Sequence, residues 1–138
     1  MKEPRILIVD DDERILSTMG AYLRDCDFAV LTASTVAEAT AIPTTQFDAV
    51  LLDLALPDGD GLQVLRTLLD ANPQLPVIMM SGQASLRQAV EAVKIGAVDF
   101  LEKPVSPEKV EIALRNALRL TSLSAQLDRQ QQESLASL

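Results

Sequence analysis

The sequence predicts a doubly wound α/β domain, in which a parallel sheet lies between two layers of helices. Three observations predict this fold class. The 138 residues are enough for one domain with an adequate core, and 48% of them are hydrophobic against 23% charged. Short apolar runs also alternate with amphipathic stretches five times along the chain. This composition is that of a globular chain and not of a disordered one.

Five apolar runs are too short for helices and rich in aliphatic residues, which favours buried parallel strands. They are Ile6–Val9, Ala29–Leu31, Ala49–Leu52, Val77–Met80 and Val98–Leu101. Strands that alternate with helices in this way are joined by right-handed crossovers. We therefore expect the carboxyl ends of all five strands to meet at one edge of the sheet, where folds of this class hold their functional groups.

Helical stretches separate these strands. Apolar residues recur at helical spacing in three groups, namely Ile15, Met19, Tyr22 and Leu23, then Leu62, Leu65 and Leu69, then Ala89, Val90 and Val93. The residues predicted to begin helices are Thr35 with Glu38 at capping-box spacing, Asp60, Ser85, and Ser106 before Pro107. Gly96, which follows a basic residue and an apolar one, predicts a helix end.

The composition changes after about Leu120. Residues 121–138 are rich in Ser, Gln and Leu, and they show no strand pattern. A broken apolar stripe continues the last helix through Leu120, Leu123, Leu127, Leu135 and Leu138. We predict a domain over residues 1–120 and a helical extension over 121–138. The extension is either a linker or the start of a short coiled coil between two copies, which Gln130, Gln131 and Ser134 weaken.

The composition excludes several classes of function. The absence of histidine excludes Ser-His and Cys-His nucleophilic sites, His-based metal sites and phosphohistidine carriers. The single cysteine, Cys26, cannot form an internal disulfide, which fits a reducing compartment. A net charge of −8 predicts no direct nucleic-acid binding by this chain. No apolar run reaches the roughly 20 residues of a membrane span, so we expect a cytoplasmic location without membrane contact.

Polar side chains follow four of the five predicted strands. The first strand ends in Asp10 and Asp11, the third in Asp53, the fourth in Ser81 and the fifth in Lys103. Three carboxylates and one ammonium leave a net negative charge, and carboxylates that repel one another call for a cation. Oxygen ligands without His or Cys predict a hard ion, with Mg²⁺ the first candidate. The site could then accept a phosphoryl group beside the fixed charge of Lys103.

Each of these residues also has an ordinary structural explanation. A strand-end aspartate can cap the next helix, and Asp10, Asp11 or Asp12 could have only that role. Ser81 could be a turn hydroxyl and Lys103 a solvated loop lysine. Asp53 is harder to explain in this way, because it follows the most hydrophobic strand and a buried carboxylate needs partners.

Four motifs together resemble those of a bacterial two-component response regulator receiver domain. They are ILIVDDDE (Ile6–Glu13), LLDLALPDGDGL (Leu51–Leu62), VIMMSGQA (Val77–Ala84) and GAVDFLEKP (Gly96–Pro104). The resemblance covers about residues 3–120. It implies a flavodoxin-like five-stranded sheet with strand order 2-1-3-4-5. It also implies a phosphorylation-dependent signalling switch that is no enzyme beyond its own phosphotransfer and slow dephosphorylation.

The resemblance also implies roles for particular residues. Asp53 matches the phosphoacceptor, which takes its phosphoryl group from the phosphohistidine of a cognate sensor histidine kinase. Asp10 and Asp11 match the acidic pair that holds Mg²⁺ together with Asp53, and Ala55 matches the residue whose backbone carbonyl is a further ligand. Lys103 matches the lysine that contacts the phosphoryl group.

Three further positions match the family's pattern. Lys103 and Pro104 match a pair joined by a cis peptide bond, which is essentially a proline feature. Ser81 matches the switch hydroxyl that bonds a phosphoryl oxygen after modification. Phe100 matches the aromatic switch residue, whereas without the resemblance it would be interpreted as part of the core.

Phosphorylation is expected to reshape the face of the fourth helix, fifth strand and fifth helix, which includes Ser85–Lys94 and Pro107–Leu120. We expect this face to control homodimerisation and a downstream, transcriptional output. The sequence over Ala89–Pro104 is similar to receivers of nitrogen-regulation-type (NtrC-type) transcriptional activators, in which ATPase and DNA-binding domains follow the linker. The chain is then a fragment of such a regulator, which we favour, or a single-domain receiver.

Other interpretations fit the sequence less well. Asp58–Gly61 resembles the DxDG signature of haloacid-dehalogenase-like phosphatases, but that signature should begin at a strand end. A dinucleotide fingerprint over Gly59–Val64 lacks its third glycine, and a calcium loop has Leu62 where a ligand is required. A structural dimerisation module leaves the strand-end cluster unexplained. A receiver that signals without phosphate is disfavoured because the whole set of site residues is present.

Overall fold

A five-stranded parallel sheet forms the centre of the protein. The computed structural model describes residues 3–83 and 86–136, and side chains up to residue 123 together with Leu127. Numbered within this sheet, the strands are β1 (Arg5–Val9), β2 (Ala29–Ala33), β3 (Ala49–Asp53), β4 (Val77–Ser81) and β5 (Asp99–Glu102). Their order is β2-β1-β3-β4-β5 with every neighbour parallel, which confirms the predicted topology.

Within the described residues, five α-helices cover the two faces of the sheet, so the doubly wound prediction is confirmed. They are α1 (Glu13–Asp25), α2 (Val36–Ala41), α3 (Gly61–Ala71), α4 (Leu86–Ile95) and α5 (Pro107–Ala136). Helices α1 and α5 pack on one face, whereas α2, α3 and α4 pack on the other. Within the described residues, no helix combines the length and the apolar character that crossing a membrane requires.

The central strands are buried on both faces, which explains why they appear in the sequence as continuous apolar runs. In β1, Leu7 and Val9 contribute to the core under α2–α4, whereas Ile6 and Ile8 contribute to the core under α1 and α5. All four side chains are fully buried.

The register of the sheet brings the ends of β1 and β3 together. Val9 is the register partner of Leu52, so the next residues, Asp10 and Asp53, lie side by side at the carboxyl edge. Asp53 in turn is the partner of Met80, which places Ser81 one residue further along the neighbouring strand. Strand pairing alone therefore assembles the polar residues at one edge.

Most of the predicted helix boundaries are confirmed. Asp60 accepts a hydrogen bond from the Leu62 N–H at 2.9 Å, and Ser106 accepts one from the Lys109 N–H at 3.2 Å. Gly96 follows α4 with a φ of 132°, a backbone conformation that glycine adopts without strain. Ser85 lies outside the described residues.

The start of α2 differs in detail from a capping box. Thr35 accepts a hydrogen bond from the Glu38 N–H at 3.0 Å, as predicted. The Glu38 carboxylate, however, accepts from the N–H of Ser34 at 2.9 Å, one residue before Thr35. Only one of the two hydrogen bonds of a capping box is therefore present. The Glu38 carboxylate instead stabilises the residue before the cap, Ser34.

Helix α4 presents its apolar stripe to solvent. The helix lies where the spacing of Ala89, Val90 and Val93 predicts it, but Val90 and Val93 are 44% and 59% exposed. The buried residue is Ala92. A small side chain thus packs on the sheet, and the larger valines are left available for other contacts.

A short antiparallel hairpin follows β3 and was not predicted. Ala55–Leu56 pairs with Gly59–Asp60, and α3 begins directly afterwards. Two-residue strands carry no detectable alternation of polar and apolar residues, which is why the sequence pattern did not indicate them. Leu56 is buried and fixes one side of the hairpin to the core.

Helix α5 continues well past the sheet, to Ala136. Leu120, Leu123 and Leu127 are 65%, 49% and 59% exposed, so the stripe predicted in the extension faces solvent in this single chain. The side chains of Leu135 and Leu138 lie outside the described part of the structure. The domain boundary at residue 120 remains a prediction.

The close approach of α3 to the end of β3 gives a test of the fold. In Gly61→Ala, the new Cβ would lie 2.3 Å from the carbonyl oxygen of Asp53 and 2.7 Å from the Leu54 Cα. Because both are backbone atoms that cannot move aside, we expect the free energy of unfolding to fall by about 1–3 kcal/mol in urea denaturation. Gly20→Ala in α1 is the control, since its nearest neighbour is the end of the Arg24 side chain at 3.4 Å. Equal stabilities for Gly61→Ala and wild type would contradict the close approach.

Candidate functional site

The predicted site residues lie together at the carboxyl edge of the sheet. Asp11, Asp53, Ser81 and Lys103 line one cleft of about 620 Å³, and Ala55 from the hairpin closes one side of it. Asp10 lies beneath the cleft and is fully buried. The strand-end rule for parallel sheets therefore places these residues correctly.

Lys103 joins the two buried carboxylates. Its Nζ atom donates to Asp10 Oδ2 at 2.7 Å and to Asp53 Oδ2 at 3.0 Å. The other oxygens accept backbone hydrogen bonds, Asp10 Oδ1 from the Asp12 N–H at 2.9 Å and Asp53 Oδ1 from the Ala55 N–H at 3.3 Å. Every carboxylate oxygen of the pair therefore has a partner, as burial requires.

The pKa shifts follow from this arrangement. Burial raises the pKa of Asp53 and the nearby Asp10 charge adds to the effect, although the hydrogen bond from Lys103 opposes it. Burial alone would lower the pKa of Lys103, but its hydrogen bonds to Asp10 and Asp53 outweigh burial and hold that pKa above its ordinary value. The lysine thus stays charged, and one cation faces two buried anions.

The donor set fits a divalent cation. Carboxylate oxygens of Asp10, Asp11 and Asp53 all lie within 4.8 Å of one another. Mg²⁺ binds oxygen ligands at about 2.0–2.1 Å, so a small adjustment would let one ion contact all three groups. Three carboxylates and one ammonium leave a formal charge of −2, which a divalent ion would bring to zero.

Ser81 is placed to donate a hydrogen bond into the cleft. Its side chain is largely buried, and Oγ accepts from the Gln83 N–H at 3.2 Å. No acceptor for the hydroxyl proton lies among the described residues, so the hydroxyl can donate to a group in the cleft. Beside it, no atom of the described residues lies within 4 Å of the position where Gly82 would carry a Cβ. The cleft is therefore open next to the hydroxyl.

Backbone hydrogen bonds hold the strand ends in place. The Lys103 N–H donates to the Ser81 carbonyl at 2.8 Å, and the Leu54 N–H donates to the Met80 carbonyl at 2.9 Å. The peptide bond between Lys103 and Pro104 is cis. Phe100 on β5 is half-buried and packs against the core under α2–α4.

Residues 6–115 match the response regulator receiver domain family. The chain belongs to this family. It is 38% identical over 128 residues to the alginate biosynthesis transcriptional regulatory protein AlgB of Pseudomonas aeruginosa, a match that covers 92% of this chain and 28% of that relative. The chain therefore spans little more than a quarter of that relative's length. Regulators of the nitrogen-regulation type are also among the relatives, as predicted.

Two solved structures illustrate the similarity. The CheY-like response regulator receiver domain protein of Methanospirillum hungatei has a TM-score of 0.85 and 32% identity, covering 88% of this chain and 98% of that one. A response regulator protein from Burkholderia pseudomallei, crystallised with a phosphorylated aspartic acid, a calcium ion and citrate, has a TM-score of 0.77 and 29% identity. That match covers 91% of this chain and 75% of the other.

Membership of the receiver family confirms the predicted fold and the general class of function. Receiver domains are phosphorylation-dependent signalling modules and not classical enzymes, and they bind Mg²⁺ at an acidic cluster of the kind seen here. They interact with histidine kinases, and the transcriptional regulators among the relatives carry additional domains.

Asp12 is the strand-end aspartate that caps α1, because it accepts from the Arg14 N–H at 2.9 Å, and its own N–H donates to Asp10. Two further residues near the receiver site have roles that the sequence did not reveal. Gly61 allows α3 to pack on the backbone of Asp53. Asp58 accepts hydrogen bonds from the start of α2. With Asp58 and Asp60 both bonded to helix N-termini, the phosphatase-like DxDG pattern has a structural explanation.

Proposed function

We propose that Asp53 accepts a phosphoryl group from the phosphohistidine of a cognate sensor histidine kinase. In this transfer a carboxylate oxygen of Asp53 forms a bond to phosphorus, and the bond between phosphorus and the histidine nitrogen breaks. The product is an acyl phosphate on this chain and an unmodified histidine on the kinase. The observation that carries the proposal is the Asp53 carboxylate at the cleft wall, 3.0 Å from the Lys103 ammonium.

The three aspartates differ in their suitability as acceptor. Asp10 is fully buried and does not line the cleft, so an incoming donor cannot reach it. Asp11 is exposed but is not bonded to Lys103. Asp53 combines access to the cleft with a charged partner. A response regulator of similar fold contains a phosphorylated aspartic acid together with a calcium ion, which supports an acyl phosphate beside a divalent ion here.

Transfer in this cleft would depend mainly on positioning and electrostatics. A bound Mg²⁺, held by Asp10, Asp11, Asp53 and the Ala55 carbonyl, would supply positive charge next to the transferring group. Lys103 supplies a fixed positive charge from the other side. The Ser81 hydroxyl is free to donate to a phosphoryl oxygen, which would draw its loop towards Asp53.

The change on phosphorylation is proposed to reach the surface through β5 and α4. A phosphoryl group adds about −1.5 to −2 charge and strong acceptor oxygens, for which Ser81 is the nearby donor. Movement of Ser81 would leave space for Phe100 to turn inward and bias a two-state equilibrium. The adjacent α4 surface carries Leu86, Val90 and Val93, all exposed, which supports its use as a contact face.

Labelling with a small phosphodonor tests the acceptor. We expect acetyl phosphate with Mg²⁺ to add one phosphoryl group to the wild-type chain, and Asp53→Asn to abolish it, because the amide is not a nucleophile. Intact mass and peptide mapping provide the measurement. Asp60→Asn is the matched control, since Asn preserves the helix cap and the residue lines the same cleft. Undiminished labelling of Asp53→Asn would place the acceptor elsewhere.

The remaining parts of the function are also proposals. The relative AlgB is a transcriptional regulator about three times longer than this chain, which covers 28% of its length. This supports an ATPase and a DNA-binding domain after the helical extension in the full-length protein, and hence a transcriptional output. We also propose that residues 1–120 form the receiver and that residues 121–138 form a linker or the start of a coiled coil. The proposed location of the protein is the cytoplasm.

A weak homodimer through α5 is proposed because its exposed leucines follow coiled-coil spacing. Leu120, Leu123 and Leu127 are three and four residues apart, which matches one a-d-a repeat.

Sedimentation velocity can test this dimer. The 138-residue chain should self-associate with increasing concentration, whereas a variant with all three leucines replaced by serine should stay monomeric. Leu86→Ser removes an exposed leucine from α4 and serves as the control. If Leu86→Ser loses self-association while the triple variant keeps it, the dimer contact lies on α4 and not on α5. Monomeric behaviour of the wild type would exclude the dimer.

A further inference from the structure

The hairpin beside the cleft is tied at its tip to a helix distant in sequence. Asp58 lies at the turn between the two short strands, and its carboxylate accepts from the Val36 N–H at 2.7 Å and from the Ala37 N–H at 3.1 Å. These residues begin α2, more than 20 positions earlier in the chain. One exposed side chain therefore connects the loop after β3 with the helix after β2.

The hydrogen bonds of Asp58 are more than an ordinary helix cap. The Thr35 hydroxyl already accepts a hydrogen bond from the Glu38 N–H, and the Thr35 carbonyl accepts one from the Ala39 N–H. Helix α2 thus has a local N-cap of the usual kind. The N–H groups of Val36 and Ala37 are not used by this local cap, and Asp58 accepts hydrogen bonds from both of them from another segment of the chain.

The hairpin that Asp58 holds also carries a group of the site. Ala55 lines the cleft and donates its N–H to Asp53 Oδ1 at 3.3 Å. The base of the hairpin is fixed by the Gly61 N–H, which donates to the Leu54 carbonyl at 2.7 Å. Its tip touches α2 through Asp58 and at Gly59, where a Cβ would lie 3.0 Å from Val36 Cγ2.

We propose that Asp58 is a positioning residue for the cation and phosphoryl site. By holding the hairpin tip against α2, it keeps the Ala55 backbone next to Asp53 and so sets the carbonyl that would face a bound ion. Asp58 does not line the cleft, so its effect passes through the hairpin. The inference rests on the proposed Mg²⁺ site formed by Asp10, Asp11 and Asp53.

Calorimetric titration of the full chain with Mg²⁺ tests this role. We expect Asp58→Ala to bind Mg²⁺ about tenfold more weakly than wild type, at the lower end of the range for groups that orient metal ligands. Thr35→Ala is the matched control, because it removes a hydrogen bond from the same helix start without touching the hairpin. It should lower the unfolding midpoint and leave the Mg²⁺ affinity unchanged.

A second variant separates the tether from the charge. Asp58→Asn removes the same negative charge as Asp58→Ala but keeps one acceptor oxygen for the α2 amides. We therefore expect its Mg²⁺ affinity to lie between those of wild type and Asp58→Ala. Equal weakening in both variants would overturn the proposal, because charge alone would then explain the loss.

Amide hydrogen exchange provides a readout that does not depend on the ion. Exchange over residues 55–60 should rise in Asp58→Ala and stay at the wild-type level in Thr35→Ala. Unchanged exchange and unchanged Mg²⁺ affinity in Asp58→Ala would overturn this inference while leaving the proposed function intact. Absence of Mg²⁺ binding by the wild type would instead overturn the proposed cation site itself.

Discussion

The rest of the site depends on two buried carboxylates that share one lysine. Asp10 and Asp53 lie at adjacent strand ends, and the Lys103 ammonium bonds to both at 2.7 and 3.0 Å. Burying two anions beside a single cation is unfavourable, because desolvation and mutual repulsion both oppose it. The cost in stability falls at the point where the proposed cation and phosphoryl group would bind, and functional sites often lower the stability of a protein in this way.

The surrounding structure holds this unfavourable cluster in place. Strand register brings the carboxylates together, and backbone N–H groups from Asp12 and Ala55 occupy their remaining oxygens. Gly61 lets α3 pack directly on the backbone that carries Asp53. Because the scaffold prevents the carboxylates from separating, their excess negative charge is available for binding a divalent ion. We infer that the same scaffold lets a change at Asp53 act on Ser81 and β5.

The sequence predicts the sheet and its functional edge because both depend on simple patterns. Fully buried strands appear as continuous apolar runs, and parallel strand ends must meet at one edge. The sequence does not reveal the hairpin or the hydrogen bonds between Asp58 and the start of α2, since both depend on tertiary contacts between distant segments. It also leaves open which side of α4 is buried, because Ala92 provides close packing while the larger valines face outward. The roles of Ser81 and Phe100 came from family resemblance and remain proposals.

The free energy of unfolding of Asp53→Asn, measured with and without Mg²⁺, tests most directly whether the buried carboxylates form a destabilised cation site. Burial and the Asp10 charge raise the pKa of Asp53, so its ionised form destabilises the fold as pH rises through that pKa. At neutral pH with a chelator, the variant should unfold in urea with a free energy about 0.5–2 kcal/mol higher than wild type. Added Mg²⁺ should stabilise wild type more than the variant. A less stable variant, together with no effect of Mg²⁺ on wild type, would contradict the account.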